Sequence, residues 1–276
     1  MQKIRQIGLR VIPKALMTYL LGKFAKTRMS RRWIPWYVRH YDINIWELDK
    51  EIHHYPTLHA FFCRGLHNFA RPLADSGMVA PVDGTIRALG YVSEAMVMSV
   101  KGQSYALQDL LGDKGLAAKM TGGQYIVFYL SPRDYHRIHI PYTSLWVAHR
   151  HIPGTLFPVN NLGEQCVRQL YAQNERVVSQ FRIDHRADYV LVSVGAFGVG
   201  TVTLRHMPRI HPFHRRLWKA SASLYQGSVE ETKGEEFGRF ELGSTVILLI
   251  SSGFPVSWTV DVGQVVRMGQ QIAVPN

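Results

Sequence analysis

Three residues in this chain could between them make and break an acyl bond. They are Ser244 in Gly243-Ser244-Thr245, His139 in His136-Arg137-Ile138-His139, and Asp83 in Pro81-Val82-Asp83-Gly84. Gly243 has no Cβ, so it tolerates unusual backbone angles and leaves its carbonyl open to attack from either side. Ser244 supplies a hydroxyl one residue on, suited to an N→O acyl shift once a base removes its proton. The base would come from His139 or His136, and Asp83 would orient it. Carboxylate, imidazole and hydroxyl then follow in the order Asp, His, Ser, a set recognised by geometry and not by chain order. Each also has an ordinary reading. Gly-Ser-Thr commonly turns the chain into a core strand, one histidine among 13 is usually structural, and Asp before Gly is a frequent turn former. Spacing leaves open whether the three meet.

His136 and His139 share a face in a helical turn and point apart in a strand. No Cys, Glu or further His stands at ligand spacing from them, so no metal is expected. The two cysteines, Cys63 and Cys166, offer no disulfide framework and fit a reducing compartment.

The elements that must position these residues change character once along the chain. Residues 1–70 read as helical: Ala15–Phe24 places Leu16, Met17, Leu20, Leu21 and Phe24 on one arc, Ile45–Leu48 has helical spacing, and Thr57 is an N-cap for the segment to Arg64. After Arg71-Pro72-Leu73 short β-rich runs take over, with strands expected at 124–130, 189–194, 200–204, 245–250 and 257–262 and a helical interlude at 164–173. The fold class expected is α+β: basic amphipathic helices, residues 1–70, on a mostly antiparallel, barrel-sandwich-like β core, residues 71–276. Pro81–Ile86 and Val262–Val266 echo one another as two turn-plus-strand units.

The 276 residues, 46% hydrophobic and 19% charged, have the composition of a folded chain. The net charge of +12 is unevenly placed. Residues 1–41 hold ten Lys/Arg and no acid, leaving 22 basic residues against all 20 acidic ones in the rest. Such an end seeks an anionic surface. Trp33 and Trp36 follow Arg31 and Arg32, and the apolar arc lies between Lys14, Lys23 and Lys26. This interleaving suits a helix lying in a lipid headgroup layer, with Lys23, Lys26, Arg31, Arg32, Trp33 and Trp36 as its contacts. A helix packed on the domain is the plain alternative. Nucleic acid is not expected, because the bulky apolar arc has no role there. The eight-residue charge-free run from Ala15 to Gly22 is too short to cross a bilayer, and a signal peptide is not expected. An Arg-rich, acid-poor start also resembles an organelle transit peptide.

Several segments together resemble the phosphatidylserine decarboxylases of the membrane-associated bacterial type. They are Phe61–Leu66, Pro81–Gly84, Ser131–Pro141, Pro153–Asn160, Asn174–Arg176 and Gly238–Thr245, in this order over nearly the whole chain. The resemblance implies self-cleavage at Gly243-Ser244, with Asp83, His139 and Ser244 as the relay and Asp83 holding the imidazole tautomer. Ser244 would become a covalent pyruvoyl group, the only cofactor, acting as electron sink for the amine of phosphatidylserine, and His136 would assist decarboxylation or reprotonation. It further implies a large chain 1–243 and a small chain 244–276, a peripheral position on the cytoplasmic face of the bacterial cell membrane, and leaves a higher oligomer open. Two rivals remain: a Ser-His-Asp hydrolase that never cuts itself, against which stands the lack of a Gly-x-Ser-x-Gly elbow, and a non-catalytic membrane-binding sandwich module.

Overall fold

The computed structural model describes residues 14–95, 97–196, 202–207, 222–241 and 244–276. Lys3, Arg5, Arg10 and Gly243 lie outside these residues, as do positions 200 and 201 of the strand expected at 200–204; of Ser244 only the backbone is described.

Helices α1 (Lys14–Ala25), α2 (Ile34–Tyr41) and α3 (Leu58–Phe62) form the N-terminal part, joined by 3-10 turns at Arg28–Trp33, Ile45–Glu47 and Ile52–His54. Pro35 sits in the first turn of α2, where its missing N–H breaks no helical bond. Thr57 caps α3 as expected, its Oγ1 accepting from Ala60 N at 3.0 Å. This part has its own apolar cluster, including Ile34, Tyr37, Leu48, Tyr55, Phe61 and Phe62.

The β core begins with β1 (Met78–Val79), β2 (Gly84–Tyr91), the hairpin β3 (Val97–Val100) and β4 (Gln103–Ala106), helices α4 (Leu107–Leu111) and α5 (Lys114–Lys119), and β5 (Gln124–Leu130). Next come β6 (Arg137–His139), β7 (Ser144–Ile152), α6 (Asn161–Cys166), α7 (Leu170–Gln173), β8 (Arg176–Arg182), β9 (Asp188–Gly195) and β10 (Val202–Leu204). The chain closes with β11 (Ser223–Glu231), β12 (Glu236–Phe240), β13 (Ser244–Ile250), β14 (Val256–Trp258), β15 (Val265–Val266) and β16 (Gln271–Pro275). The large sheet has the order β11-β7-β8-β9-β13-β5-β2-β15, flanked by small sheets β10-β12-β6 and β1-β16-β14. Every pairing between these named strands is antiparallel. The α+β class and its antiparallel core are as expected.

The run Thr245–Ile250 is apolar after Thr245 and β-branched at Thr245, Val246, Ile247 and Ile250, and all six residues are buried between β5 and β9. The two echoing segments are neighbours, with Val265 opposite Thr85 and Val266 opposite Gly84. Gly84 is obligatory: a Cβ there would stand 2.6 Å from the Tyr129 carbonyl oxygen. Two expectations need correction. The strand expected at 257–262 ends at Trp258, because Asp261–Gln264 form a turn and Gly263 takes φ 91°. The interlude at 164–173 splits into α6 and α7, because Gln169 adopts a left-handed φ of 51° that no helix continues through.

Asn174 ties the α7–β8 junction to the head of the core strands. Its side-chain oxygen accepts from Phe157 N at 3.0 Å, and its Nδ2 donates to Phe157 O and Gly195 O, both at 2.8 Å. Gly195 is the β9 partner of Ser244. Asn174→Ala strands these buried groups and should lower unfolding free energy by about 3 kcal/mol in urea titrations, with Asn174→Asp only partly compensating.

Candidate active site

β5 leaves the large sheet beside the first residue of β13, since Leu130 pairs with Ser244. The chain then turns through Ser131–Tyr135 into β6, carrying both candidate histidines. The turn is closed by Asp134, whose Oδ2 accepts from Ser131 N at 2.6 Å and Ser131 Oγ at 2.8 Å. β12 runs alongside β6, and Phe240 N donates to His136 O at 2.9 Å. The chain therefore passes from the His136 arm into Glu241 and enters β13 at Ser244. Phe62 lies against the His136 ring at 4.0 Å between centroids.

Each imidazole has its tautomer fixed by a carbonyl, which can only accept. His136 Nδ1 donates to Asp134 O at 2.8 Å, and His139 Nδ1 donates to Gly234 O at 2.8 Å. Both Nε2 atoms are therefore bare of protons. That of His139 accepts from the Tyr135 hydroxyl at 3.1 Å. That of His136 is buried and has no hydrogen-bond partner among the described residues. Burial and the Arg64 guanidinium together push the His136 imidazole down to about 3, against a donation to Asp134 O that favours the proton. Burial also lowers His139, helped by Arg137 and opposed by Gly234 O, Glu236 and Asp83, which favour its charged form. Both rings are neutral near pH 7.

Arg64 was quoted only within a motif, yet it organises this arm. Its Nη2 donates to Arg133 O at 2.6 Å and to Asp134 O at 3.0 Å, the same carbonyl that orients His136. Its guanidinium lies 5.3 Å from the Phe61 ring centre. Tyr37 adds a bond to Pro132 O at 2.9 Å.

Asp83 is close to this group without taking the place expected of it. His139 N donates to Pro81 O at 2.8 Å, which brings the Asp83 turn against β6. Its carboxylate, however, is gripped by Arg71, from Nε at 2.9 and 3.1 Å and from Nη2 at 2.5 Å, and by Met268 N at 2.8 Å. Among the described residues no hydrogen bond joins Asp83 to His139. The orienting position on His139 Nδ1 belongs to Gly234 O, and Asp83 acts on the ring through charge alone. Arg71, Tyr135 and Arg64 were not singled out from the sequence, where nothing marks a partner 12 or 70 positions away. A cleft of about 190 Å³ opens here, lined by Asp83, Arg71, Arg64, Asp134, Tyr135 and Arg267 among others. A larger groove of about 890 Å³ lies at the other end of β13, around Arg182, Asp188 and Ser251, roughly 20 Å of strand away from Ser244.

The basic helices turn their apolar arc outward. Met17, Leu20, Leu21 and Phe24 are exposed, while Thr18 and Ala25 face inward; the Leu16 side chain lies outside the described residues. Lys23, Arg31, Arg32, Trp33 and Trp36 are exposed, with Trp33 and Trp36 in edge contact at 6.0 Å. Lys26 is ion-paired with Glu241 at 2.6 Å. No helix among the described residues is long and apolar enough to cross a membrane.

An antiparallel α+β chain with two neutral, carbonyl-oriented imidazoles on the arm that β5 releases opposite Ser244 has the makings of an enzyme. The chain belongs to the phosphatidylserine decarboxylase family, whose model matches residues 58–274. It is 39% identical to a phosphatidylserine decarboxylase proenzyme of Brevibacillus brevis over 267 residues, 95% of this chain and 94% of that one. The proenzyme of Chromobacterium violaceum is 35% identical over 99% of each chain, and that of Albidiferax ferrireducens 37% identical over 95% and 94%.

Because His136 is held neutral when folded but takes up a proton near its ordinary 6.5 when unfolded, the unfolded chain binds more protons between about pH 6.5 and 3. Stability should therefore fall as pH falls through that window. In a His136→Asn variant the slope between pH 6 and 4.5, read from urea midpoints, should be shallower by about 1.4 kcal/mol per pH unit.

Proposed function

We propose that this protein is a proenzyme that cuts itself between Gly243 and Ser244 and then decarboxylates phosphatidylserine to phosphatidylethanolamine. The observation that carries this reading is the pair of Nε2 atoms bare of protons on the arm that β5 releases where Leu130 pairs with Ser244, in a chain of this family. His139 is the base that takes the Ser244 hydroxyl proton, its tautomer held by Gly234 O. Asp83 favours the imidazolium that results, as a fixed negative charge. The hydroxyl attacks the Gly243 carbonyl, exchanging the peptide bond for an ester. Elimination then releases the Gly243 carboxylate, and hydrolysis with loss of ammonia leaves a pyruvoyl group at 244. The products are a large chain 1–243 and a small chain 244–276.

Two features fit such a group. β13 is laddered on both sides, so a break before Ser244 leaves its backbone in register. The Nε2 of His136 is an acceptor with no hydrogen-bond partner among the described residues. When formed, the pyruvoyl carbonyl supplies an electron sink for the substrate's serine amine. His136 accepts a proton from the headgroup or returns one to it, and Phe62 and Arg64 hold its ring and loop.

We further propose that residues 1–70 face the cytoplasmic side of the bacterial cell membrane as a peripheral anchor. The outward apolar arc of α1 with Lys23, Arg31, Arg32, Trp33 and Trp36 supports it, since apolar side chains ringed by cations suit an anionic headgroup layer.

Ser244→Ala and His139→Ala should each give a single uncut chain with no carbon dioxide release, read on denaturing gels and in a decarboxylation assay. Normal cutting of His139→Ala would remove it as the base. Neutralising Lys23, Arg31 and Arg32 together should weaken partition onto phosphatidylserine-containing vesicles by about two orders of magnitude, with no change on purely zwitterionic vesicles.

A further inference from the structure

The two residues that precede the cleavage segment are held from the helical part of the molecule. Glu241 accepts from Lys26 Nζ at 2.6 Å and lies 3.4 Å from His59 Nε2. One residue earlier, Phe240 O accepts from Cys63 Sγ at 3.6 Å. These partners stand in different elements: Lys26 directly after α1, His59 within α3 and Cys63 at its end. The Cys63 carbonyl accepts in turn from Arg137 Nε at 3.3 Å and Nη2 at 3.2 Å, on the histidine-bearing strand β6. One turn of helix thus grips both the strand that carries the base and the segment that carries the bond.

The charges around Glu241 are one-sided. Its side chain is 14% exposed, and Lys26 and His59 face it from the two helices. On its own segment the nearest cation is Arg239, which bonds to Glu236 at 3.9 Å. Burial opposes ionisation of Glu241, but the bonds from His59 and Lys26 outweigh it and hold the carboxyl down at about 2. The carboxylate is therefore charged at neutral pH. Lys26, read from the sequence as a lipid contact, already has a partner inside the protein.

We infer that Glu241, clamped by Lys26 and His59, is a positioning residue that fixes the approach of the scissile Gly243 carbonyl, so that the helical part sets the rate of self-cleavage. The inference rests on cleavage at Gly243-Ser244. Two residues separate Glu241 from that bond, and an N→O acyl shift depends steeply on the placement of the carbonyl.

The test follows conversion of freshly synthesised full-length precursor to two chains over time. Lys26→Met changes a half-exposed side chain and should slow conversion about tenfold, with Glu241→Gln slowed similarly. Lys26→Arg should restore the native rate, because it keeps the ion pair. Once cut, the Lys26→Met protein should show native kcat and KM for decarboxylation, and its partition onto anionic vesicles should stay within about twofold of native. Native cleavage rates in both Lys26→Met and Glu241→Gln would overturn the inference. So would a slowdown that Lys26→Arg does not relieve, which would mark a general loss of structure, or a loss of vesicle binding with normal cutting, which would return Lys26 to the lipid surface. A fragment whose size places the cut elsewhere would sink the cleavage reading itself, whereas a correct cut at native rate sinks only the clamp.

Discussion

β13 is seven residues long, and every one of them from Ser244 to Ile250 is paired with both β5 and β9. A strand in that position does not depend on the peptide bond that leads into it. Its place is fixed by two ladders and by the burial of Val246 to Ile250 in the main core. A protein that severs its own backbone needs this arrangement, because the new terminus must stay where the old bond was. The ladders also set register: Ser244 is bound to stand between Leu130 and Gly195, at the point where β5 releases the chain that carries both histidines.

Around that point the chemistry is set by burial and by carbonyls. Neither histidine is oriented by a carboxylate. Asp134 O and Gly234 O each take an Nδ1 proton, and low polarity around the rings keeps them neutral. A buried Nε2 at His136 with no partner among the described residues is the kind of local expense that function explains and packing does not. Arg64 sustains it from the side, through the carbonyl it shares with His136 and through its charge. Arg71 does the corresponding service for Asp83, keeping a buried carboxylate paired at a site where it acts only through its field.

Much of this was legible in the chain. The change from helical to β periodicity after Arg71, the Thr57 cap and the central strands at 124–130, 189–194 and 245–250 all follow from local pattern. The echo of the two turn-strand units was legible as well, but not that they pair with one another. The candidate residues were legible as types, and their motifs identified the family. What escaped was everything that depends on contact between distant segments. No spacing rule links Arg71 to Asp83, Gly234 to His139 or Lys26 to Glu241, which is 215 residues away. The expected hydrogen bond from Asp83 to His139 failed for that reason, since a nearer cation claimed the carboxylate. The expectation at 257–262 failed on a turn whose glycine gives no sign of its φ in sequence.

The basic helices do two things that their composition alone does not separate. Their apolar arc and most of their cations face outward, while Lys26, His59, Cys63 and Arg64 face the catalytic arm and the segment beyond β12. The proposed attachment to a surface and the contacts to this arm therefore share one small body packed on its own cluster of Ile34, Tyr37, Phe61 and Phe62. The central claim, a carbonyl group made from Ser244 at the head of an undisturbed strand, is tested most directly by the intact mass of the small chain from active protein. The account predicts a fragment of residues 244–276 lighter by one ammonia than the same peptide beginning with serine. Active protein whose fragment begins with unmodified serine, or which yields no fragment at all, would contradict it.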